Sequence, residues 1–138
     1  MTVQDRQGRP SQGTPPQRPT PRSVDEALHW QKGRIGSAAW EGWTWKFQRL
    51  AYGFVRDDRW NTADEAFAWF CDNGSVRTGV AARGALIWFA GERGVLVRCC
   101  LGDGRVIGPG VADVVGLLTV DDQDPPLGWT EPIFPFAR

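Results

Sequence analysis

The chain has 138 residues, of which 41% are hydrophobic and 12% aromatic, and its 16 basic side chains are balanced by 16 acidic ones. This length and composition are typical of one globular domain, and the zero net charge gives no reason to expect nucleic acid or an anionic membrane as a partner. No run approaches the roughly 18 apolar residues of a transmembrane helix, and the polar N-terminus lacks the apolar segment of a secretory signal. We therefore expect a cytoplasmic protein, or one exported by a non-classical route.

The first 22 residues have a composition of their own. They contain five prolines and four arginines, and no large apolar side chain beyond Met1 and Val3. Such a segment cannot bury a core, so we predict a disordered tail over residues 1–22 and one folded domain over residues 23–138. Four arginines against one aspartate give the tail a charge of +3 and leave −3 on the domain.

Three helices are predicted first along the chain. Ser23 and Glu26 have the spacing of a capping box and predict the start of the first helix. The same spacing at Thr62 and Glu65 predicts the third helix, which Gly74 ends. The second helix is predicted within AAWEGWTWKFQRLAYGF, where aromatic and aliphatic residues recur at steps of three and four on one buried face: Trp40, Trp43, Phe47, Leu50 and Phe54.

The pattern then changes to short apolar runs between glycines. ALIWFA, VLVRCCL and RVI predict strands, and Asp103 with Gly104 predicts a hairpin turn between the last two. VADVVGLLTV predicts one more strand, followed by the acidic turn DDQDPP and the extended stretch GWTEPIFPF. Helices followed by an antiparallel sheet make an α+β domain.

The stretch from Ser37 to Phe136 resembles the NlpC-like and CHAP-like cysteine peptidases and amidases of bacterial cell walls, in an actinobacterial style. The resemblance is carried by WEGWTWKFQRLAYG, ADEAFAWF, GALIWFA, GVLVRCCLGDGRVIG and GWTEPIFP, in that order. It implies a papain-like fold, in which a nucleophile at a helix start packs against a small antiparallel sheet that brings a histidine opposite it.

The resemblance also implies where the catalytic residues of the family would stand. The family's cysteine follows a tryptophan and a glycine at the spacing of Trp40 and Gly42, which corresponds to Thr44. Its histidine follows a glycine at the start of the second strand, which corresponds to Val95, and its third polar residue corresponds to Gly108. A helix start does not activate a hydroxyl as it does a thiol, and valine and glycine transfer no proton. The resemblance therefore implies a site without catalytic residues.

A rearranged site built from the remaining thiols and the one imidazole is the alternative. Cys71, Cys99 and Cys100 have spacings that suit neither a metal site nor a disulfide scaffold, so we expect buried reduced thiols. His29 precedes position 44, whereas the family has cysteine before histidine. With no nucleotide loop, zinc spacing or serine elbow, we expect no cofactor and no metal. Three pairs of adjacent carboxylates are interpreted as solvated turns or helix starts: Asp57 and Asp58, Asp64 and Glu65, Asp121 and Asp122.

Eight tryptophans are the unusual feature of the composition. Trp69, like Trp40 and Trp43, fits a helix face packed on the sheet, and Trp88 fits a core strand. Three other tryptophans do not fit these buried faces and are predicted to be exposed: Trp45, Trp60 and Trp129. Beside Arg49, Arg56 and Arg59, they would form a surface for a protein or glycan partner.

The leading hypothesis is a catalytically inactive NlpC-like or CHAP-like module that binds a peptide, a muropeptide or a protein partner. Its predicted binding residues are Trp40, Trp43, Thr44, Trp45, Trp60, Trp88, Val95 and Trp129. The alternatives are an active peptidoglycan amidase or endopeptidase with a rearranged cysteine site, and a structural or assembly protein. The oligomeric state is left open.

Overall fold

The computed structural model describes residues 19–57, 59–122 and 125–138. Helices precede strands, as the sequence predicts, and the α+β class is confirmed. The elements are α1 (Val24–Lys32), α2 (Thr44–Ala51), α3 (Ala63–Asp72), β1 (Leu86–Gly91), β2 (Gly94–Cys100), β3 (Arg105–Val111), β4 (Val114–Thr119), a short 3-10 helix (Val120–Asp122) and β5 (Gly128–Thr130). Most of the predicted tail, residues 1–18, lies outside the described residues.

Two of the three helices begin where their capping boxes predict. Ser23 caps α1 and Thr62 caps α3, and in both cases the glutamate three residues later bonds back to the cap backbone. These bonds satisfy N–H groups that a helix start otherwise leaves without a partner. The pKa of Glu26 is lowered because its carboxylate accepts the N–H of Ser23, and the pKa of Glu65 is lowered because its carboxylate accepts the N–H groups of Asn61 and Thr62.

The second helix is shorter than predicted. It begins at Thr44, and Trp40 lies in a turn before it, closed by the Trp43 N–H donating to the Trp40 carbonyl at 2.9 Å. Trp43 occupies the cap position without a side-chain bond and is 49% exposed, so its predicted place on a buried helix face was wrong. Because the helix begins only at Thr44, Trp43 lies outside it, and Trp45 is the tryptophan on the buried face of α2.

The five strands form one antiparallel sheet in the order β4-β3-β2-β1-β5. VADVVGLLTV is not a single strand, because Val111 ends β3 and a turn at Ala112 and Asp113 leads into β4. Both turn residues have positive φ, 52° and 69°, which suits a two-residue hairpin. The turn could not be predicted from the residue at position 112, because alanine rarely adopts positive φ.

The helices cover one face of the sheet and form the main core with it, centred on Trp45, Phe47, Phe70 and Trp88. The opposite face has a smaller cluster covered by loops and the 3-10 helix: Ala85, Ile87, Phe89, Cys100 and Val106. No helix in the described part of the chain is long and apolar enough to span a membrane.

Strands β2 and β3 separate along part of their length. They pair only at Cys99 with Ile107 and at Cys100 with Val106, and beyond these pairs β3 bends at an irregularity between Gly108 and Val111. The N-terminal half of β2 therefore pairs with β1 on one side and faces the helices on the other.

Candidate functional site

Thr44 closes the gap between β2 and β3 at the start of α2. Its hydroxyl oxygen accepts the N–H of Val97 at 3.3 Å, and the residue is 4% exposed. N–H groups alternate in direction along a strand, and Cys100 donates to Ala85 on the β1 side, so the N–H of Val97 points away from β1. The threonine hydroxyl thus replaces the carbonyl that a continuous β3 would supply.

Gln48, one turn further along α2, also bonds into the gap between β2 and β3. Its side-chain nitrogen donates to the Ile107 carbonyl at 3.4 Å, and its amide exchanges two bonds of 2.9 and 3.1 Å with Gln31 of α1. Both glutamines are fully buried. This pair leaves no local pattern in the sequence, because its two residues lie 17 positions apart on different helices.

The other two positions that the resemblance implies, Val95 and Gly108, lie on β2 and β3. Val95 is half-buried against the main core, and its N–H donates to the Asp64 carboxylate at 3.0 Å. Gly108 is buried, and a Cβ added there would meet Gln48 Nε2 at 3.3 Å and Arg98 Cγ at 3.2 Å. Asp64 was interpreted as a solvated helix start, yet its carboxylate also holds the beginning of β2.

These positions can position backbone but cannot perform acid/base chemistry. The side chains at 44, 95 and 108 carry no ionisable group, and the one hydroxyl among them serves as an acceptor for the sheet. A hydroxyl acts as a nucleophile only with a base within hydrogen-bond reach, and a thiol acts as one when its pKa is lowered.

Replacing Thr44 by valine tests its structural role. We expect Thr44→Val to lower the free energy of unfolding by about 1–3 kcal/mol, because the N–H of Val97 then lies buried without an acceptor. Thr44→Ser keeps the hydroxyl and is the matched control, with a smaller loss. Urea denaturation followed by circular dichroism measures both, and equal losses in the two variants would contradict the role assigned to the hydroxyl.

The cysteines do not form a common site. Cys99 and Cys100 are buried on opposite faces of the sheet, as adjacent strand residues should be. Burial raises the pKa of Cys99 to about 12, and its sulfur lies 3.8 Å from the Tyr52 hydroxyl oxygen. Cys71 is exposed on α3, so its predicted burial was wrong, and His29 is exposed in the last turn of α1. In the described ranges no His, Cys, Asp and Glu side chains are grouped to hold a metal ion.

Alkylation distinguishes these thiols. At neutral pH we expect iodoacetamide to modify the native protein once, at Cys71, and all three cysteines after denaturation. Cys99 should remain unmodified in the native protein at pH 9 as well, because the raised pKa keeps the thiol protonated there. Peptide mapping by mass spectrometry locates the modified residue. Rapid native labelling of Cys99 would instead indicate an accessible thiolate.

Several tryptophans differ from their predicted exposure. Trp45 and Trp60 are 1% and 8% exposed, not surface indoles, and Arg49 is buried with them. Trp45 Nε1 donates to Asp57 at 3.1 Å, which lets the polar edge of the indole enter the core. Trp88 lies fully buried in the core as predicted.

Trp129, predicted to be exposed, is half-buried on β5. Its indole N–H donates to the Thr78 carbonyl at 3.3 Å, and the Arg77 guanidinium lies 5.4 Å from its ring centre. It packs against the smaller cluster on the sheet face opposite the helices, and so lies apart from the start of α2.

The exposed aromatic surface lies beside Thr44. Trp43 is 49% exposed, and Lys46 Nζ lies 5.7 Å from its ring centre. Trp40 is half-buried, with its ring centre 5.9 Å from that of Trp30 and 5.3 Å from that of Phe47. We call Trp40, Trp43 and Lys46 the α2-start surface. It combines an anchored indole, an exposed indole and a cation.

Compared with known proteins, the chain matches no protein-family model, no curated protein and no solved structure at a significant level.

Proposed function

We propose that this domain is a catalytically inactive relative of the NlpC-like and CHAP-like hydrolases, and that it binds a cell-wall peptide or muropeptide without cleaving it. The observation that carries the proposal is the bond from the Val97 N–H to the Thr44 hydroxyl. The residue at the nucleophile position implied by the resemblance is buried and holds the sheet together, while Val95 and Gly108 supply no base.

Ligand binding is assigned to the α2-start surface. An exposed indole offers a broad apolar face at little cost in conformational entropy, which suits a sugar ring or an extended peptide. The contacts of Trp40 with Trp30 and Phe47 fix one side of this surface before any ligand arrives. Lys46 can pair with a ligand carboxylate, since stem peptides carry such groups.

Co-sedimentation with insoluble peptidoglycan tests the proposal, with the bound fraction and the loss of turbidity recorded in one tube. We expect binding without clearing. Trp43→Ala should reduce the affinity about 5- to 30-fold, as truncation of an aromatic anchor does at an interface. Val55→Ala is the matched control, because Val55 is a 71% exposed apolar residue outside this surface.

Each outcome decides between the hypotheses. Clearing of the suspension would contradict an inactive site and support the rearranged cysteine enzyme. Absence of binding would contradict the wall ligand and favour a protein partner. Binding that Trp43→Ala and Val55→Ala leave equally unchanged would place the ligand elsewhere on the domain.

A further inference from the structure

A groove along the exposed face of α1 begins where the N-terminal segment joins the domain. It has a volume of about 480 Å³ and is lined from Arg22, just before the helix, to Arg34, just after it. Glu26 and Trp30 lie between these ends at every fourth position, so the groove follows one face of the helix. It shares no residue with the α2-start surface, and the inference drawn from it therefore does not depend on the proposed function.

The chain is fixed at one end of this groove. The Arg22 N–H donates to the Tyr52 carbonyl at 3.0 Å, and Arg22 Nη1 donates to the Leu50 carbonyl at 2.8 Å, both at the end of α2. An arginine at this place also suits the negative end of the helix dipole. The N-terminal segment, residues 1–18, therefore joins the domain beside the groove.

The centre of the groove is aromatic. Trp30 is half-buried, and its ring centre lies 5.9 Å from the Arg22 guanidinium carbon and 3.7 Å from that of Arg34. Arg34 Nη1 also donates to the Trp30 carbonyl at 2.9 Å. The groove thus presents an indole held between two arginines, and aromatic side chains are the surfaces on which proline-rich segments dock.

We propose that the chain's own N-terminal segment folds back along α1 and occupies this groove, with Pro15 and Pro16 against Trp30. Pro16 and Pro19 have the PxxP spacing that aromatic-lined grooves recognise. The helix rises about 12 Å between the level of Arg22 and that of Trp30. A polyproline II chain covers this distance in about four residues, which counted back from Pro19 reach Pro15.

An intramolecular contact of this kind needs little intrinsic affinity. Tethering gives the segment an effective concentration in the millimolar range, and a polyproline II segment loses little conformational entropy when it docks. The same contact withholds the PxxP pattern from recognition domains of other proteins.

Nuclear magnetic resonance of the full chain tests the docking through the indole N–H signals, with that of Trp30 assigned by Trp30→Phe. Pro15→Gly combined with Pro16→Gly should shift the Trp30 signal, because the two rings that pack on the indole are lost. Gln4→Gly combined with Gln7→Gly is the matched control, since both residues lie beyond the stretch that spans the groove. An unmoved Trp30 signal, or equal shifts in the two double variants, would overturn the proposal.

A nitroxide attached to Thr14→Cys provides a second readout, in a Cys71→Ser background that removes the exposed native thiol. The Trp30 signal should lose intensity beside the nitroxide, while the signal of Trp129, on the opposite face of the sheet, keeps its intensity. The double glycine variant should restore the Trp30 signal. A loss that the glycines leave unchanged, or one that disappears as the protein is diluted, would overturn intramolecular docking.

Discussion

Trp45→Ala is expected to lower the free energy of unfolding by about 3–5 kcal/mol, the usual cost of truncating a buried tryptophan. The indole is 1% exposed, and its ring centre lies 5.7 Å from that of Trp60, 5.9 Å from that of Trp88 and 5.1 Å from that of Phe134. Truncation removes these contacts and also leaves the Asp57 carboxylate without the indole donor. Urea denaturation followed by circular dichroism measures the loss.

Trp43→Ala is the matched control, because the same residue type lies two positions earlier and is 49% exposed. We expect that variant to cost less than about 1 kcal/mol. Similar losses of unfolding free energy in the two variants would contradict the burial of the Trp45 side chain in the core. The same pair separates folding from binding, since Trp43→Ala should weaken wall binding in a protein that remains folded.

Gln48→Met is expected to lower the free energy of unfolding by about 2–4 kcal/mol. Methionine has a similar length but cannot hydrogen-bond, so the Gln31 amide and the Ile107 carbonyl lose partners in a fully buried position. Each buried group left without a bond costs about 1–3 kcal/mol. The cost should appear as a lower denaturation midpoint with an unchanged m-value.

A double-mutant cycle isolates the contribution of the glutamine pair. We expect Gln31→Met with Gln48→Met to cost at least about 1 kcal/mol less than the sum of the single variants, because neither amide is then left facing an apolar partner. Additive losses would mean that the two side chains contribute separately and that the bond between them stabilises nothing.

The local chemistry of the sequence was enough to predict most elements. Ser23 with Glu26 and Thr62 with Glu65 each form a capping box through residues three apart, so the helix starts follow from adjacent sequence. The strands follow from apolar runs between glycines, and the hairpin from Asp103 and Gly104. The turn at Ala112 and Asp113 was missed because alanine rarely adopts positive φ.

The candidate site was only partly predictable. The resemblance singled out Thr44, Val95 and Gly108 from the order of motifs along the chain. Thr44 and Gly108 lie where α2 meets β2 and β3, whereas Val95 lies on β2 beside the start of α3. Two contacts could not be predicted: the bond from the Val97 N–H to the Thr44 hydroxyl, and the bond from the Val95 N–H to Asp64. Each joins residues more than 30 positions apart in the sequence.

The sequence by itself determined the order of helices and strands, the α+β class and the two capped helix starts, because these depend on interactions between residues a few positions apart. Only the tertiary structure decided which tryptophans are buried. Trp43 and Trp45 are equally apolar, and their exposure depends on where α2 begins and on which partners lie across from it. It also decided that β2 and β3 separate and that Thr44 and Gln48 fill the gap, since buried polar groups must find partners wherever the fold brings them.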